Sequence, residues 1–242
     1  MNQAEWNEFA ATYAAIQRES QLPIEQDVVA ALATRYPLAD WRVADVAAGS
    51  GRYTLPLAQR AKQVVAIDWA QAMLDEARTW LNQHEQSNVT YQQGDWHDRV
   101  SPIAELVFVS QLPTLTADEL PQLAGLATRA VAINSQIKWR STAQSKVAKA
   151  LSWALPTAYQ ADPQRVQNFQ HALTISKHAY HQQTFTYTLL EETTPQEVLA
   201  SFERPYTLTQ ANTTAQVLGA ADAQAVIQTT TTYAYTLLDW PV

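Results

Sequence analysis

Apolar residues at Trp6, Phe9, Ala10, Tyr13 and Ile16 recur at three- and four-residue spacing, which puts them on one face and predicts an amphipathic helix over residues 4–18. A second helix is expected after Pro23, with Val28, Val29, Ala31 and Leu32 inside it. It should stop before Pro37, because the residue ahead of a proline is driven out of helical geometry. The pattern then changes. Short apolar or β-branched runs at 41–46, 63–67, 89–92, 104–109 and 129–133 are separated by helical patterns at 52–61, 70–83 and 117–126. Strand and helix alternating in this way predict βαβ units, right-handed crossovers and a parallel sheet.

Beyond residue 134 the strict alternation lapses. Residues 141–154 and 163–173 read as helices, with Pro156 and Pro163 as breakers between them. Residues 179–190 and 229–238, rich in Thr, Tyr and Phe, read as strands, and 195–202 and 214–227 as helices. No repeat, low-complexity tract or linker interrupts the chain. One domain is therefore expected over 1–242: an N-terminal helical cap at 1–40, a ligand-binding core at 41–135, a helical insertion at 136–177, and C-terminal strands and helices at 178–242.

Composition narrows the function classes. The 47% apolar and 16% charged content of these 242 residues is that of a soluble globular fold and excludes disorder. No apolar run approaches the roughly 18 uncharged residues of a membrane span, and the first residues lack a basic stretch followed by an apolar one. With no cysteine there is no disulfide framework, thiolate zinc site or cysteine nucleophile, so a cytoplasmic protein without structural metal is expected. A net charge of −7 opposes a nucleic-acid partner and favours a small-molecule substrate. Lys138, Arg140, Lys146 and Lys149 read as one solvated helix face.

The candidate chemistry lies at the predicted strand ends, where open parallel sheets bind ligands. The first strand delivers Asp45 and a small-residue turn, Ala47-Ala48-Gly49-Ser50-Gly51. Because the whole chain has five glycines, a pair spaced by one residue at this place points to close backbone approach. Free N–H groups where that turn opens a helix can hold a carboxylate or phosphate. The second strand ends in Asp68-Trp69, whose carboxylate can accept from both hydroxyls of a ribose. The third ends in Gly94-Asp95-Trp96: Asp95 can accept from an adenine amine, and Trp69 or Trp96 offers a flat apolar surface. The fourth delivers Ser110 and Gln111 to the same crevice.

At these residues the chain resembles the class I S-adenosylmethionine-dependent methyltransferases. Asp45-Val46-Ala47-Ala48-Gly49-Ser50-Gly51 matches the family's Asp-Leu-Gly-x-Gly-x-Gly in spacing, with Ala47 at the first glycine. Ile67-Asp68 matches the acidic end of strand two, Met73-Leu74 the stretch that follows it, and Gly94-Asp95 the acidic motif after strand three. The resemblance implies a Rossmann-like three-layer αβα sandwich with a mostly parallel seven-stranded sheet whose last strand, here 229–238, is antiparallel. It implies S-adenosylmethionine as cofactor, S-adenosylhomocysteine as product, and a helical cap that brings Trp6 or Tyr13 to the site. It covers residues 41–112 closely and supports only topology beyond 135. The segment Ser110-Gln111-Leu112-Pro113 lacks the Asn-Pro-Pro-Tyr motif of amino-methylating enzymes, which weakens a macromolecular acceptor.

Alternatives follow from the same residues. A nicotinamide oxidoreductase needs a small residue where Thr54 stands and leaves Gly94-Asp95 unexplained. A non-catalytic binding or scaffold protein would keep the cofactor residues without an acceptor. Asp45, inside an apolar strand, reads as a carboxylate that orients the turn. His171, His178 and His181 invite a metal, but strand positions three apart face opposite ways. On the acceptor side the candidates are Tyr13, His97, Gln111 and Trp139, since an activated methyl needs positioning more than a base.

Overall fold

A computed structural model describes all 242 residues. Helix α1 (Gln3–Glu19) begins at a reciprocal cap in which the Asn2 side chain accepts from the Glu5 N–H and the Glu5 carboxylate accepts from the Asn2 N–H. Helix α2 (Ile24–Arg35) buries Ile24, Val28, Val29, Ala31 and Leu32, and stops short of Pro37. There follow β1 (Arg42–Val46), α3 (Thr54–Ala58), β2 (Gln63–Asp68), α4 (Gln71–Gln83), β3 (Val89–Gln93), β4 (Ala104–Ser110), α5 (Leu120–Gly125) and β5 (Ala127–Ser141). The rest of the chain is α6 (Thr142–Leu151), α7 (Pro163–Ile175), β6 (His181–Thr193), α8 (Pro195–Ala200), α9 (Leu208–Leu218) and β7 (Ile227–Pro241). No helix is long and apolar enough to cross a membrane.

The seven strands form one sheet in the order β3-β2-β1-β4-β5-β7-β6, parallel from β3 to β5 and with an antiparallel last strand. This is the Rossmann-like arrangement that the sequence implied. Residues 43–46, 64–67 and 106–109 are buried in unbroken runs, as strands covered on both faces must be. Register sets Val46 beside Ile67 and Val109, and Ile67 beside Gln92, so four strands end at one level. β1 lies between β2 and β4, where the strand order reverses, and such a reversal opens a crevice at the carboxyl ends.

The chain divides into two compact units, one of residues 1–135, 164–185 and 236–242, the other of 136–163 and 186–235. In the first, α1 lies on α4 through Ala10, Ala70 and Met73, with Trp6 and Tyr13 packed at the edge. An ion pair of 2.9 Å between Arg18 and Glu76 joins the same two helices. Asp239, fully buried in β7, accepts from Arg35 at 2.5 Å and from the Tyr36 hydroxyl at 2.8 Å, which ties the end of α2 to the sheet. The second unit has its own core of Ala143, Val147, Val198 and Leu199, flanked by Leu151, Trp153 and Phe202. There Thr229 Oγ1 accepts the Ala143 N–H at 3.0 Å and caps the first turn of α6.

Three boundaries differ from the sequence expectation. β5 runs to Ser141 where the apolar run ended at 133, so Lys138 and Arg140 are exposed strand residues; only Lys146 and Lys149 lie on a helix. Ile137-Lys138-Trp139-Arg140 alternates with period two, and pairing in the sheet extends it. The segment 136–177 accordingly opens as strand before it becomes helical. The helix expected over 214–227 is α9, capped by Thr207 with Gln210 and stopped by Gly219 at φ 72°.

Candidate functional site

The turn after β1 is strained at a defined place. Ala47 sits at φ 56°, a left-handed conformation that costs an L-residue about 1–2 kcal/mol. Ala47→Gly is therefore expected to stabilise the protein by about 1 kcal/mol, read as a rise of roughly 2–4 °C in Tm by scanning calorimetry. Asp45, 2% exposed, accepts the Thr54 hydroxyl at 2.6 Å and so fixes both ends of the turn. Burial pushes its pKa up to about 7, against the Thr54 bond and aided by the nearby Asp68 charge. Thr54 is thus a bonded core residue, and the tight glycine packing of a nicotinamide fingerprint has no place there.

The expected array of free N–H groups is reduced. Ala48 donates to the Ile67 carbonyl at 3.0 Å, Gly51 to the Ala48 carbonyl at 3.1 Å, and Gly49 to Asp68 Oδ2 at 2.8 Å. α3 has five residues, so its dipole is small. The two glycines also serve different ends. A Cβ on Gly51 would lie 2.9 Å from the Ala77 Cβ, so this glycine admits α4. A Cβ on Gly49 would meet only Tyr13 Cε1, at 3.7 Å.

Asp68, at the end of β2, accepts from Gly49 through one oxygen and from the Ala70 N–H at 2.9 Å through the other. Burial raises its pKa, and these backbone donors pull it back. Tyr13 stands over the turn: burial raises its pKa, the Arg52 cation opposes this and the Asp68 charge adds to it. Arg52, which the sequence reading did not single out, latches the cap to the turn. Its guanidinium reaches Glu25 at 3.0 Å, Gln17 at 2.8 Å, and Ser20 and the Leu22 carbonyl at 3.1 Å each. No local pattern marks such a residue, because its partners lie in another element.

Beyond β3, Gly94 has φ 148° and nothing within 4 Å of the place a Cβ would take. Asp95 caps the short 3-10 turn Trp96–Asp98, and its Oδ1 accepts from both the His97 N–H and the His97 ring. Trp96 is buried with its ring 3.9 Å from that of His97, so the open aromatic surface at these strand ends is Trp69, 39% exposed. His97 bridges Asp95 at 2.6 Å and Glu119 at 2.7 Å. Partial burial of the ring opposes protonation, but the bonds and charges of the two carboxylates outweigh it and raise the pKa of His97. The same bonds lower Asp95 and Glu119 against their own desolvation. The clamp's stabilisation is thus complete below the ordinary histidine value of about 6.5 and is lost as pH rises through the higher folded value; on the acid side it fades as the two carboxylates protonate. A proton NMR titration is expected to find His97 above 6.5, and Glu119→Gln to bring it down.

At the end of β4, the Ser110 hydroxyl accepts from Asn134 Nδ2 at 3.0 Å, and Gln111 takes φ 53°. In the second unit, Trp139 donates to the Tyr233 hydroxyl, which also bonds to Glu191 at 2.7 Å. The first unit therefore brings together Tyr13, Asp45, Ala47, Gly49, Ser50, Gly51 and Asp68, with Trp69 following directly in the chain. Gly94 N–H donates to the Asp68 carbonyl at 3.0 Å, which adds the third strand end to the second.

Residues 43–134 match the family model described as a methyltransferase domain. Over 65 residues the chain is 42% identical to the 23S rRNA (uracil(1939)-C(5))-methyltransferase of Pseudomonas putida, a stretch covering 27% of this chain and 14% of that protein. Among solved structures, magnesium protoporphyrin IX methyltransferase of Synechocystis PCC 6803, with S-adenosylhomocysteine bound, has TM-score 0.58 at 17% identity, covering 97% of this chain and 96% of that one. The YcgJ protein of Bacillus subtilis has TM-score 0.56 at 12% identity, covering 88% and 97%. At such identities the structural likenesses establish the fold, while the family match falls on β1 to β5, where the motifs lie. Residues 43–134 thus resemble a methyltransferase domain, the chain has the Rossmann-like fold of these structures, and the motifs at residues 45–51, Asp68 and Gly94-Asp95 lie inside the matched stretch.

Proposed function

We propose that the crevice at the carboxyl ends of β1, β2 and β3 holds S-adenosylmethionine, and that the protein transfers its methyl group to a small-molecule acceptor. The observation that carries this reading is the 2.8 Å bond from Gly49 N–H to Asp68, which joins the turn to the acidic strand end. The Asp68 carboxylate accepts from the backbone N–H groups of Gly49, Ala70 and Trp69, and two carboxylate oxygens with about four lone-pair sites keep room for a ribose hydroxyl. Asp95 Oδ2, clear of the His97 bonds, faces the adenine amine in this reading, with Trp69 as the ring surface. The open space at Gly94 and Gly49 accepts the ligand, Ser50 and Ser110 supply hydroxyls, Trp96 backs the loop, and Tyr13 closes over the top.

The donor, when bound, supplies a methyl carbon already activated by a positive sulfur. What the chain contributes is alignment and exclusion of water, and alignment alone supplies a large effective molarity. Asp45 and Asp68 also favour a cationic ligand beside the turn. The charge of −7 supports a small-molecule acceptor over RNA; the match to the rRNA enzyme spans only 14% of its length.

Calorimetry and thermal shift with S-adenosylmethionine, S-adenosylhomocysteine and NAD test the donor. At a hundredfold excess over Kd the bound ligand adds about 2.7 kcal/mol, a rise of roughly 5–11 °C for a chain of this size. A folded protein with no shift from either sulfur nucleoside overturns the reading. Transfer of labelled methyl into a metabolite extract separates an enzyme from a binding scaffold.

A further inference from the structure

Three neutral polar side chains, Tyr53, Ser110 and Asn134, meet at the carboxyl ends of β4 and β5, and Gln111 follows Ser110 directly in the chain. Asn134 is fully buried, and its Nδ2 donates to the Tyr53 hydroxyl at 2.9 Å and to Ser110 Oγ at 3.0 Å. Its Oδ1 has no partner, and neither does the buried Nε2 of Gln111. Asn134 pairs in register with Ser110, and the Gln111 N–H donates to the Asn134 carbonyl at 3.0 Å, so the residue with the unpaired donor follows directly on the strand partner of the residue with the unpaired acceptor. Gln111 carries a second cost in its φ of 53°. Buried polar atoms are almost always bonded, and a residue with both an idle amide and a left-handed backbone is held there by something other than stability.

We infer that Gln111 and Asn134 form a subsite for the edge of a neutral amide, an N–H beside a C=O as in a lactam or carboxamide. Gln111 Nε2 donates to the carbonyl and Asn134 Oδ1 accepts from the N–H. Tyr53 and Ser110 hold the Asn134 amide in place through its other end, while the ring of Tyr53 is itself set against Phe108 at 5.5 Å. The lining selects against charge. A charged group would meet no ionised partner among the four, and one of the two idle groups would oppose it, the Asn134 oxygen facing a carboxylate and the Gln111 amide facing an ammonium. The inference rests on the proposed methyl-donor reading only in naming the occupant as the methyl acceptor.

The test uses the full chain, labelled with ¹⁵N, and follows the side-chain amide signals of Gln111 and Asn134 with and without S-adenosylhomocysteine. The probes are 2-piperidone and 2-pyridone, against cyclohexanecarboxylate and cyclohexylamine. Both lactams at millimolar concentration are expected to move both amide signals, and the two charged probes to leave them in place. Gln111→Met keeps the volume and removes the idle donor. It should weaken lactam binding at least tenfold with Tm unchanged or a few degrees higher, which separates recognition from folding. Amide signals that stay still with lactam while S-adenosylhomocysteine binds, equal response to the charged probes, or full lactam affinity in Gln111→Met each overturn the inference. Lactam binding in a protein that ignores S-adenosylhomocysteine upholds the subsite and overturns the methyl-donor reading instead.

Discussion

Replacing Asp68 with alanine is expected to weaken S-adenosylhomocysteine binding by about 10²–10⁴-fold while moving the Tm of the unliganded protein by only a few degrees. In the proposed site two ribose hydroxyls donate to this carboxylate, and a hydrogen bond to a charged group contributes about 1.5–3 kcal/mol. Two such bonds amount to about 3–6 kcal/mol, which sets the fold-change. Stability responds less because two effects oppose. The substitution leaves the Gly49 and Ala70 N–H groups without their acceptor, yet it also removes a carboxylate whose ionised form is disfavoured by burial. The sign with pH follows. Asp68 and Asp45 both have folded pKa values above those of the unfolded chain, Asp45 at about 7, so both make the native state less stable as pH rises from about 4. Asp68→Ala should therefore show a smaller fall in Tm than wild type between pH 4 and 7. Titration calorimetry with S-adenosylhomocysteine decides the main point: a mutant that binds as tightly as wild type means the ribose sits elsewhere.

The core of this site was legible in the sequence because it is local. Asp45 to Gly51 is one strand end and one turn, and Asp68 and Gly94-Asp95 each follow an apolar run whose end is easily placed. What the residues do for each other was less legible. The turn's N–H groups look available in the sequence, yet Ala48, Gly49 and Gly51 each donate within the protein, since strands two and one end side by side. Trp69 and Trp96 are equivalent on paper; tertiary packing buries one and leaves the other open. Arg52 and Asn134 carried no signal at all. One latches helices from the preceding forty residues, and the other ends an apolar run as an ordinary polar residue until its neighbour on β4 is known. Beyond residue 135 the elements were mostly found and their limits misjudged. Long polar-faced strands such as β5 take their length from pairing, which a single sequence does not display.

Gly51→Ala is expected to cost about 2–5 kcal/mol and lower the Tm by roughly 4–20 °C, whereas Gly49→Ala, two residues away, costs about 1–2 kcal/mol. Both glycines have positive φ, 86° and 53°, so both substitutions carry a left-handed penalty of about 1–2 kcal/mol. The difference is what the new methyl meets. At Gly51 it lies 2.9 Å from the Ala77 Cβ, 3.1 Å from the Ala77 Cα and 3.0 Å from Leu81 Cδ1. Relief there requires α4 to shift, and overpacking of this kind adds about 1–3 kcal/mol. At Gly49 the only neighbour is Tyr13 Cε1 at 3.7 Å, an ordinary contact. The ligand responses should invert. Gly49→Ala places a methyl between the turn and Tyr13 and is expected to weaken S-adenosylhomocysteine binding, while Gly51→Ala, assayed well below its Tm, keeps it. Ala77→Gly supplies the control: it costs about 1 kcal/mol alone in mid-helix, but it removes the nearest clashing atom, so the double mutant should recover at least about 1 kcal/mol relative to additivity. A strictly additive pair would show that Gly51 serves its backbone angle alone and that α4 does not depend on it.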